Sequence, residues 1–96
     1  MNRPKPSWTF LTNHSHVLLC LAQDPTMLMR DIAQAVGITE RAVQRIIADL
    51  RDEKFITLRR QGRRNAYRIH AARHLKHPLE ARTKLADLLG MVGQST

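Results

Sequence analysis

Apolar residues along the chain follow a helical period at first, then a strand period, then a helical one again. From Thr12 to about Gln23 they predict a helix that Thr12 caps and Asp24-Pro25 ends. Met27 to Met29 predicts one small strand. Arg30 to Val36 predicts a second, short helix, and Gly37 ends it because glycine tolerates positive φ.

A longer helix is expected to begin at Thr39, a good N-cap, and to run to about Lys54. Its apolar positions have the three- and four-residue spacing of one buried stripe. They are Val43, Ile46, Ile47 and Leu50. The opposite face then carries Arg41, Gln44, Arg45 and Ala48, which are spaced i, i+3, i+4 and i+7 and form a single outward stripe.

In Phe55 to Arg60 and Ala66 to His70 the pattern changes to a period of two, so that alternate residues share one face. This pattern predicts two strands of a β-hairpin. The loop is expected at Gln61 to Arg64, where Gly62 supplies the permissive backbone. The register that buries the apolar residues pairs Ile56 with Ile69 and Leu58 with Tyr67. That register exposes Thr57, Arg59 and Arg68 on the other face.

The two ends of the chain flank this central part. Residues 1–11, with Pro4 and Pro6, predict an N-terminal arm, and residues 12–76 predict the main domain. His77-Pro78 is expected to start a last helix that runs to about Val92 and is ended by Gly93, within a C-terminal element of residues 77–96. The apolar stripe of this helix is predicted to form a dimer interface, and the alternative is that it packs on the chain's own core beside the first helix. The residues of the stripe are Leu79, Leu85, Leu88, Leu89 and Val92.

Composition narrows the class of protein. The chain has 96 residues, 43% of them hydrophobic and 25% charged, which is typical of one globular domain. Sixteen Lys and Arg against eight Asp and Glu give a net charge of +8, an excess that attracts nucleic acid or anionic membrane. The longest apolar run is too short to cross a bilayer, no secretory signal opens the chain, and the single Cys20 excludes an internal disulfide. We therefore expect a cytoplasmic protein.

The positive charge is concentrated in RRQGRRNAYR, residues 59–68, which holds five arginines and no acid. No acidic residue lies between Glu53 and Glu80. Such a run can be a solvated surface or a surface that binds a polyanion. Its position on a predicted hairpin favours the second interpretation, because the arginines would project from an ordered tip.

The segment MRDIAQAVGITERAVQRIIA, residues 29–48, resembles the helix-turn-helix of prokaryotic transcription regulators, with apolar inner faces on both sides of a glycine turn. The basic hairpin that follows makes residues 12–70 similar to the winged-helix subgroup, akin to the MarR and ArsR families. The implied fold is mainly α with a small β-hairpin: helix, short strand, helix, helix, two-stranded wing and C-terminal helix. The resemblance also implies that helix 39–54 enters the major groove and that wing 55–70 lies on the backbone or minor groove.

Arginine and glutamine on the recognition helix suit base reading, since Arg pairs bidentately with guanine and Gln with adenine. Two of these positions have an alternative role that involves no DNA contact. Arg45 could pair with Asp49 four residues on, and Glu40 could stabilise the helix dipole at the N-terminus. The predicted DNA-binding residues of the helix are Thr39, Glu40, Arg41, Gln44 and Arg45. Those of the wing are Arg59, Arg63, Arg64 and Arg68, whose planar guanidinium groups match phosphate.

Other chemistry is poorly supported. His70, His74, His77 and Glu80 lie in one stretch, but Pro78 and the expected loop break any helical ligand spacing, so we interpret these histidines as solvated and expect no metal or cofactor. Cys20 is interpreted as a buried structural thiol. No catalytic triad, carboxylate pair or phosphate-binding glycine loop can be assembled, and an enzyme is not expected.

The leading hypothesis is a dimeric winged-helix transcription regulator of prokaryotic cytoplasm, expected to be a repressor that binds duplex DNA. Two-fold symmetry through the last helix would then require a roughly palindromic operator. The alternatives are a winged-helix module that binds RNA or a protein partner, and a repressor gated by a metal or a small molecule.

Overall fold

A computed structural model describes residues 6–92 of the chain. Pro4 of the predicted arm and the predicted helix end at Gly93 lie outside the described residues. Within residues 6–92 the structure has four α-helices, one antiparallel two-stranded sheet and a single 3-10 turn. In chain order these are α1 (Asn13–Gln23), α2 (Met29–Val36), α3 (Glu40–Asp52), β1 (Ile56–Gln61), β2 (Arg64–Ile69), the 3-10 turn Pro78–Glu80 and α4 (Leu85–Val92).

The ends of α1 follow the sequence closely. The Thr12 hydroxyl accepts a hydrogen bond from the Ser15 amide at 3.3 Å and caps the first turn, as predicted. At the other end the Asp24 carboxylate accepts from both the amide and the hydroxyl of Thr26, each at 3.0 Å. This Asx-type turn redirects the chain toward α2, since Pro25 cannot continue the helix.

The turn between α2 and α3 depends on glycine. Gly37 has φ 87°, and its amide donates to the Ala33 carbonyl at 2.8 Å, which closes the C-terminus of α2. Two residues later the Thr39 hydroxyl accepts from the Ala42 amide at 3.0 Å and caps α3. Both features were predicted from the sequence, and together they form the tight connection between the two helices.

The helix α3 ends two residues earlier than predicted, at Asp52 rather than at about Lys54. Lys54 has φ 63°, and its amide donates to the Arg51 carbonyl while the Phe55 amide donates to the Leu50 carbonyl. This pair of bonds is a Schellman motif with a lysine in the left-handed position that glycine usually occupies. The sequence carries no glycine there, so the end of the helix could not be located from residue types.

The hairpin has the predicted register. Ile56 lies opposite Ile69, Leu58 opposite Tyr67, and Gln61 opposite Arg64. The strands therefore extend further than expected and leave only Gly62 and Arg63 in the turn. Gly62 has φ 62°, which fits the first central position of a type II′ turn. Ile56 and Tyr67 are buried, Leu58 and Ile69 are half-buried, and the predicted outer residues Thr57, Arg59 and Arg68 are exposed.

The small strand predicted at Met27 to Met29 is not present. Met29 is the first residue of α2, and the Asp24 turn shortens the connection, because the Met27 amide donates back to the Asp24 carbonyl at 3.1 Å. The connection still contacts the hairpin through one backbone bond, from the Tyr67 amide to the Pro25 carbonyl at 3.0 Å. This single bond holds β2 close to the end of α1, but it does not add a third strand to the sheet.

The last helix begins at Leu85, so the prediction of a continuous helix from His77 is wrong. Long-range backbone bonds explain the difference: the Leu75 amide donates to Thr83, and the Leu85 amide donates to Arg73. These bonds hold the backbone around Lys84 in an isolated antiparallel bridge with His74, which a helix could not satisfy. The Asp87 carboxylate then accepts from the Lys84 amide at 3.0 Å and starts α4.

One apolar core connects all of these elements. Its most deeply buried members, at most 1% exposed, come from α1, α2, α3, β1 and α4 in turn. They are Val17, Leu21, Ile32, Val43, Ile56 and Leu85. Each such side chain contributes about 1.5–3 kcal/mol by its burial, so the core fixes α3 and the hairpin relative to each other.

Candidate nucleic-acid interface

The outward stripe predicted on α3 is present. Arg41, Gln44, Arg45 and Ala48 are all exposed, whereas Val43, Ile46, Ile47 and Leu50 on the opposite side are buried. A helix held by its apolar side in this way presents its arginines and glutamine outward as a rigid set. The side chains can therefore reach a partner without rearrangement of the core.

The alternative interpretation of Arg45, an intrahelical pair with Asp49, does not hold. The Asp49 carboxylate instead lies 2.9 Å from Nε2 of His14 on α1. Within residues 6–92 the acidic side chains in such close contacts are Asp49, with His14, and Glu53, with Lys76, so Arg41 and Arg45 have no acidic partner there. Both guanidinium groups are available to an anionic or base-edge acceptor.

The first residues of α3 differ from these arginines. The Thr39 hydroxyl is used in the cap of the helix, so its side chain already has a structural role. Glu40 is exposed in the first turn, where a carboxylate complements the positive end of the helix dipole. The geometry thus supports a capping role for Thr39.

The wing arginines occupy different places on the hairpin. Arg59 and Arg68 lie on the strands and Arg63 lies in the turn, and all three are exposed and without an ion pair within the described range. Arg64 is exposed as well, but its Nη1 donates to the Thr26 carbonyl at 3.3 Å and ties the wing to the turn after α1. Arg64 therefore combines a structural contact with its positive charge.

The turn is also stabilised across the hairpin, where Nη1 of Arg60 donates to Oδ1 of Asn65 at 3.0 Å. This contact gives Asn65 a role in stabilising the turn. Arg60 faces Asn65 in the register and was not singled out in the sequence. Its contact makes the tip of the wing a defined surface rather than a loose loop.

A groove lies between α3 and the wing, and it contains basic residues that the sequence did not identify. We call it the basic groove. Its polar and charged walls include Arg51, Lys54, Thr57, Arg68, Arg73 and His70. One acid, Asp52, also lines it. Arg51 lies three residues after Ala48, so the helical spacing of the outward stripe could have predicted its position. Lys54 reaches the groove because its backbone is left-handed, with φ 63°, and no residue type in the sequence predicts that conformation.

Arg73 is positioned in the basic groove by an aromatic ring. Its guanidinium carbon lies 5.3 Å from the centroid of the Phe55 ring, which is itself 7% exposed. This distance is typical of a cation–π contact. The contact holds a positive charge beside the junction of α3 and β1, where the chain enters the wing.

Residues 11–57 match the family model described as winged helix-turn-helix DNA-binding. This segment is a winged helix-turn-helix DNA-binding domain. The match spans α1, α2 and α3 and ends at the second residue of β1, while β2 completes the two-stranded wing in the structure. No curated protein matches the chain.

The assignment of a winged helix-turn-helix gives the exposed basic residues a common context. The matched family is a DNA-binding family and not one defined by an enzymatic activity. The four helices and the antiparallel hairpin agree with the mainly helical fold predicted from the sequence. In residues 6–92 no helix is long and apolar enough to span a membrane.

The residues predicted to form a dimer interface are divided by the break before α4. Leu85 is 1% exposed and belongs to the apolar core that α1, α2, α3 and β1 share, and Leu88 and Leu89 are half-buried against that core. Leu79 lies in the 3-10 turn and is 91% exposed, and Val92 at the end of α4 is 45% exposed. These residues therefore do not share one helical stripe.

The histidines after the wing have local hydrogen-bonding roles. Nδ1 of His74 lies 2.7 Å from the Ala81 carbonyl, and Nδ1 of His77 accepts from the Leu79 amide at 3.0 Å. Nε2 of His70 lies 3.0 Å from the Thr57 hydroxyl. Within residues 6–92 no group of three or more His, Cys, Asp or Glu side chains is arranged to hold a metal ion.

Cys20 is half-buried on α1, and burial raises the pKa of its thiol. The thiolate is the nucleophilic form, so a raised pKa keeps the group in its less reactive state at neutral pH. Cys20 is therefore less buried than the sequence predicted, while the raised pKa of its thiol agrees with a structural role.

Proposed function

We propose that this protein is a transcription regulator, acting as a repressor, that binds duplex DNA in a sequence-dependent way. The observation that carries the proposal is the set of exposed arginines on α3 and on the wing of a winged helix-turn-helix DNA-binding domain, none of which has an ion pair within residues 6–92. A surface of this kind attracts the phosphate backbone and places base-reading side chains on a rigid helix.

The proposed division of labour follows from side-chain chemistry. Arg41, Gln44 and Arg45 lie on the outward stripe of α3, which would enter the major groove, where Arg and Gln distinguish guanine and adenine. Arg63 and Arg68 on the wing would contact phosphate or the narrow minor groove. The helix would therefore supply specificity, and the wing would supply affinity.

The basic groove extends this surface. Arg51, Lys54 and Arg68 line the space between α3 and the wing, and Thr57 and His70 meet there through a hydrogen bond at 3.0 Å. A DNA strand passing from the major groove under α3 to the wing would run along this space. We propose that its basic walls contact the phosphates of that strand.

We further propose that two copies act together on a roughly palindromic site, as homodimers of regulators do. What supports a dimer is the exposed apolar surface at the end of α4, where Met91 is 72% and Val92 is 45% exposed. Replacing Val92 by Glu should shift the protein toward the monomer in sedimentation equilibrium. A protein that is monomeric before the substitution, at concentrations where it binds DNA, would contradict the dimer.

The location proposed for the protein follows from its target. A regulator with this charge and this resemblance to prokaryotic repressors would act in the cytoplasm, on the nucleoid, and without an enzymatic activity or a cofactor. We propose that the regulator is related to MarR-like or ArsR-like proteins. ArsR-like gating by a metal would require DNA affinity to change on chelation, and joint replacement of His74 and His77 tests the same point.

Selection of binding sites from random duplexes tests the central proposal. We expect recovery of one preferred sequence, with half-sites about one helical turn apart if the dimer is correct. A competition titration at physiological salt then compares that duplex with a structured RNA hairpin of equal length. RNA binding at least as tight as that of the selected duplex, or recovery of no preferred sequence, would contradict the proposal.

A further inference from the structure

A second groove lies on the opposite flank of α3, between α1, the C-terminal half of α3 and the segment 75–88. We call it the acidic groove. Asp49, Leu50 and Glu53 line it, whereas Ala48, Arg51 and Lys54 of the same stretch line the basic groove. Its volume is about 670 Å³, which lies within the range of about 300–1,000 Å³ typical of small-molecule sites.

The inner surface of the acidic groove is apolar. Leu18, Leu50, Phe55 and Leu85 form its floor and are all at most 7% exposed. Nearer the opening the walls contain half-buried apolar side chains, which could cover an apolar ligand without moving the core. These are Leu11, Leu75 and Leu88.

The rim of this groove has a charge opposite to that of the protein. Four of the eight acidic residues of the chain line it: Asp49, Asp52, Glu53 and Glu80. Among the described residues that line it, Lys76 is the only Lys or Arg, so with neutral histidines their four negative charges and one positive charge leave −3. In a chain of net charge +8, these residues make the groove locally negative, and a negative surface attracts cations.

Two of the four carboxylates already have partners. Asp49 contacts His14 at 2.9 Å, and Glu53 contacts Lys76 at 3.4 Å. Asp52 and Glu80 form no ion pair within residues 6–92 and are exposed at the rim. They are the side chains through which a cationic ligand would gain the most, because no existing contact has to be broken.

An aromatic side chain stands at the opening of the groove. Phe10 lines it and is 91% exposed, and Trp8 packs against Phe10 edge-to-face with ring centroids 4.9 Å apart. An exposed aromatic face attracts an organic cation within about 6 Å of its centroid. The groove thus combines an apolar floor, unpaired carboxylates and an aromatic ring.

We propose that the acidic groove binds a small organic cation with an apolar body, of the quaternary ammonium or phosphonium type. The apolar body would lie over the leucine walls, and the positive charge would face Asp52 and Glu80. The groove volume fits a small molecule better than a folded partner, and its rim would repel nucleic acid and other anions. This inference goes beyond the proposed DNA binding and does not depend on it.

A pair of ions with the same shape and opposite charge provides the test. Tetraphenylphosphonium and tetraphenylborate would each be titrated into the full chain without DNA, by calorimetry and by NMR of the leucine methyl groups. We expect the phosphonium ion to bind and to shift the methyl signals of Leu75 and Leu88. The borate ion should shift those two residues much less, since its charge is repelled at the rim.

Neutral variants identify the charges that matter. Replacing Asp52 by Asn and Glu80 by Gln together should weaken phosphonium binding about two- to thirtyfold, because each exposed ion pair contributes a modest amount. Replacing Arg63 and Arg64 by Ala on the wing is the matched control and should leave phosphonium affinity unchanged. Both double variants change exposed side chains only, and circular dichroism checks that they fold.

Three results would overturn the proposal. The first is absence of phosphonium binding at millimolar concentration. The second is binding with equal affinity to the protein and to the neutralised variant, which would indicate apolar association alone. The third is equal methyl shifts from both ions, which would mean that the rim charge does not select the ligand.

Discussion

The two flanks of α3 carry opposite charge along the same part of the helix. On the side of the wing, Arg51 and Lys54 line the basic groove, and on the side of α1, Asp49 and Glu53 line the acidic groove. Asp52 lies between the two and lines both. The helix therefore separates a surface suited to phosphate from a surface that repels it.

This contrast shows that a net charge of +8 does not describe the surface as a whole. Half of the acidic residues lie around one groove, which leaves the wing and the outer stripe of α3 with almost uniform positive charge. A field arranged in this way attracts a polyanion to one side and orients it as it approaches. The acidic flank would then act against binding in the wrong orientation.

The largest expected effect concerns the apolar anchor beneath the basic groove. Ile56 is 0% exposed and holds β1 against the core. Replacing Ile56 by Ala should lower the free energy of unfolding by about 2–5 kcal/mol, because apolar burial decreases and a cavity remains. Unfolding in urea measures this change in the free energy of unfolding. Replacing Leu79, which is 91% exposed, by Ala is the control and should change stability by less than about 0.5 kcal/mol.

The next prediction tests whether the positive charge of the basic groove contributes to DNA binding. Replacing Arg51 and Arg68 by Glu should weaken DNA binding about 100-fold or more, because each charge-assisted hydrogen bond contributes roughly 1.5–3 kcal/mol and repulsion adds to the effect. The comparison variant on the acidic flank changes Glu53 and Glu80 to Gln, which removes two negative charges without reversing them. It should leave affinity unchanged or slightly higher, as measured by fluorescence anisotropy. Equal weakening in both variants would remove the distinction between the flanks.

A smaller effect separates specificity from affinity on α3. Replacing Arg41 or Gln44 by Ala should weaken binding to the selected duplex by about 1–3 kcal/mol, since each of these side chains is proposed to read one base. Binding to a scrambled duplex of the same length should change much less. If affinity for both duplexes fell equally, these two side chains would be binding phosphate and not bases.

The smallest effect concerns the residue that ends α3 beside the basic groove. Lys54 has φ 63°, so replacing it by Gly should relieve strain and raise the free energy of unfolding by roughly 0.5–1 kcal/mol. Gly37 is the left-handed residue that ends α2, with φ 87°. Replacing it by Ala should lower the free energy of unfolding by about 1 kcal/mol, because a side chain is strained in that conformation. A destabilised Lys54 variant would show that the lysine side chain makes a stabilising contact.

The parts of the fold that depend on local patterns could be predicted from the sequence. The caps at Thr12 and Thr39, the turn at Gly37 and the register of Ile56 with Ile69 all follow from residue type and spacing. Each is determined by neighbours a few residues away or by one alternating pattern, so no knowledge of distant contacts was needed.

The errors arise where distant backbone groups pair. The bonds that join Leu75 to Thr83 and Arg73 to Leu85 prevent a helix from His77, although the residue types there allow one. The apolar residues of 77–92 were consequently placed on one stripe, while the structure places Leu85 in the core and Leu79 in solvent. No periodicity reports such a bridge.

The candidate site shows the same division. The outward stripe of α3 and the wing arginines were found from spacing, because helix and strand periods decide which side chains point outward. The contacts of Arg64 with Thr26 and of His14 with Asp49 join residues 38 and 35 positions apart, and neither pair has a sequence signal. The two grooves are built from such distant segments, so they could be seen only in the folded structure.

The most direct test of the division of labour is the salt dependence of DNA binding. For the variant in which Arg63 and Arg64 are both Ala, log K plotted against log salt should have a slope smaller by about 1 for each phosphate that the wing no longer neutralises, on selected and scrambled duplexes alike. Replacing the exposed Arg82 by Ala is the control and should leave the slope unchanged. A slope equal to that of the unmodified protein would contradict phosphate binding by the wing.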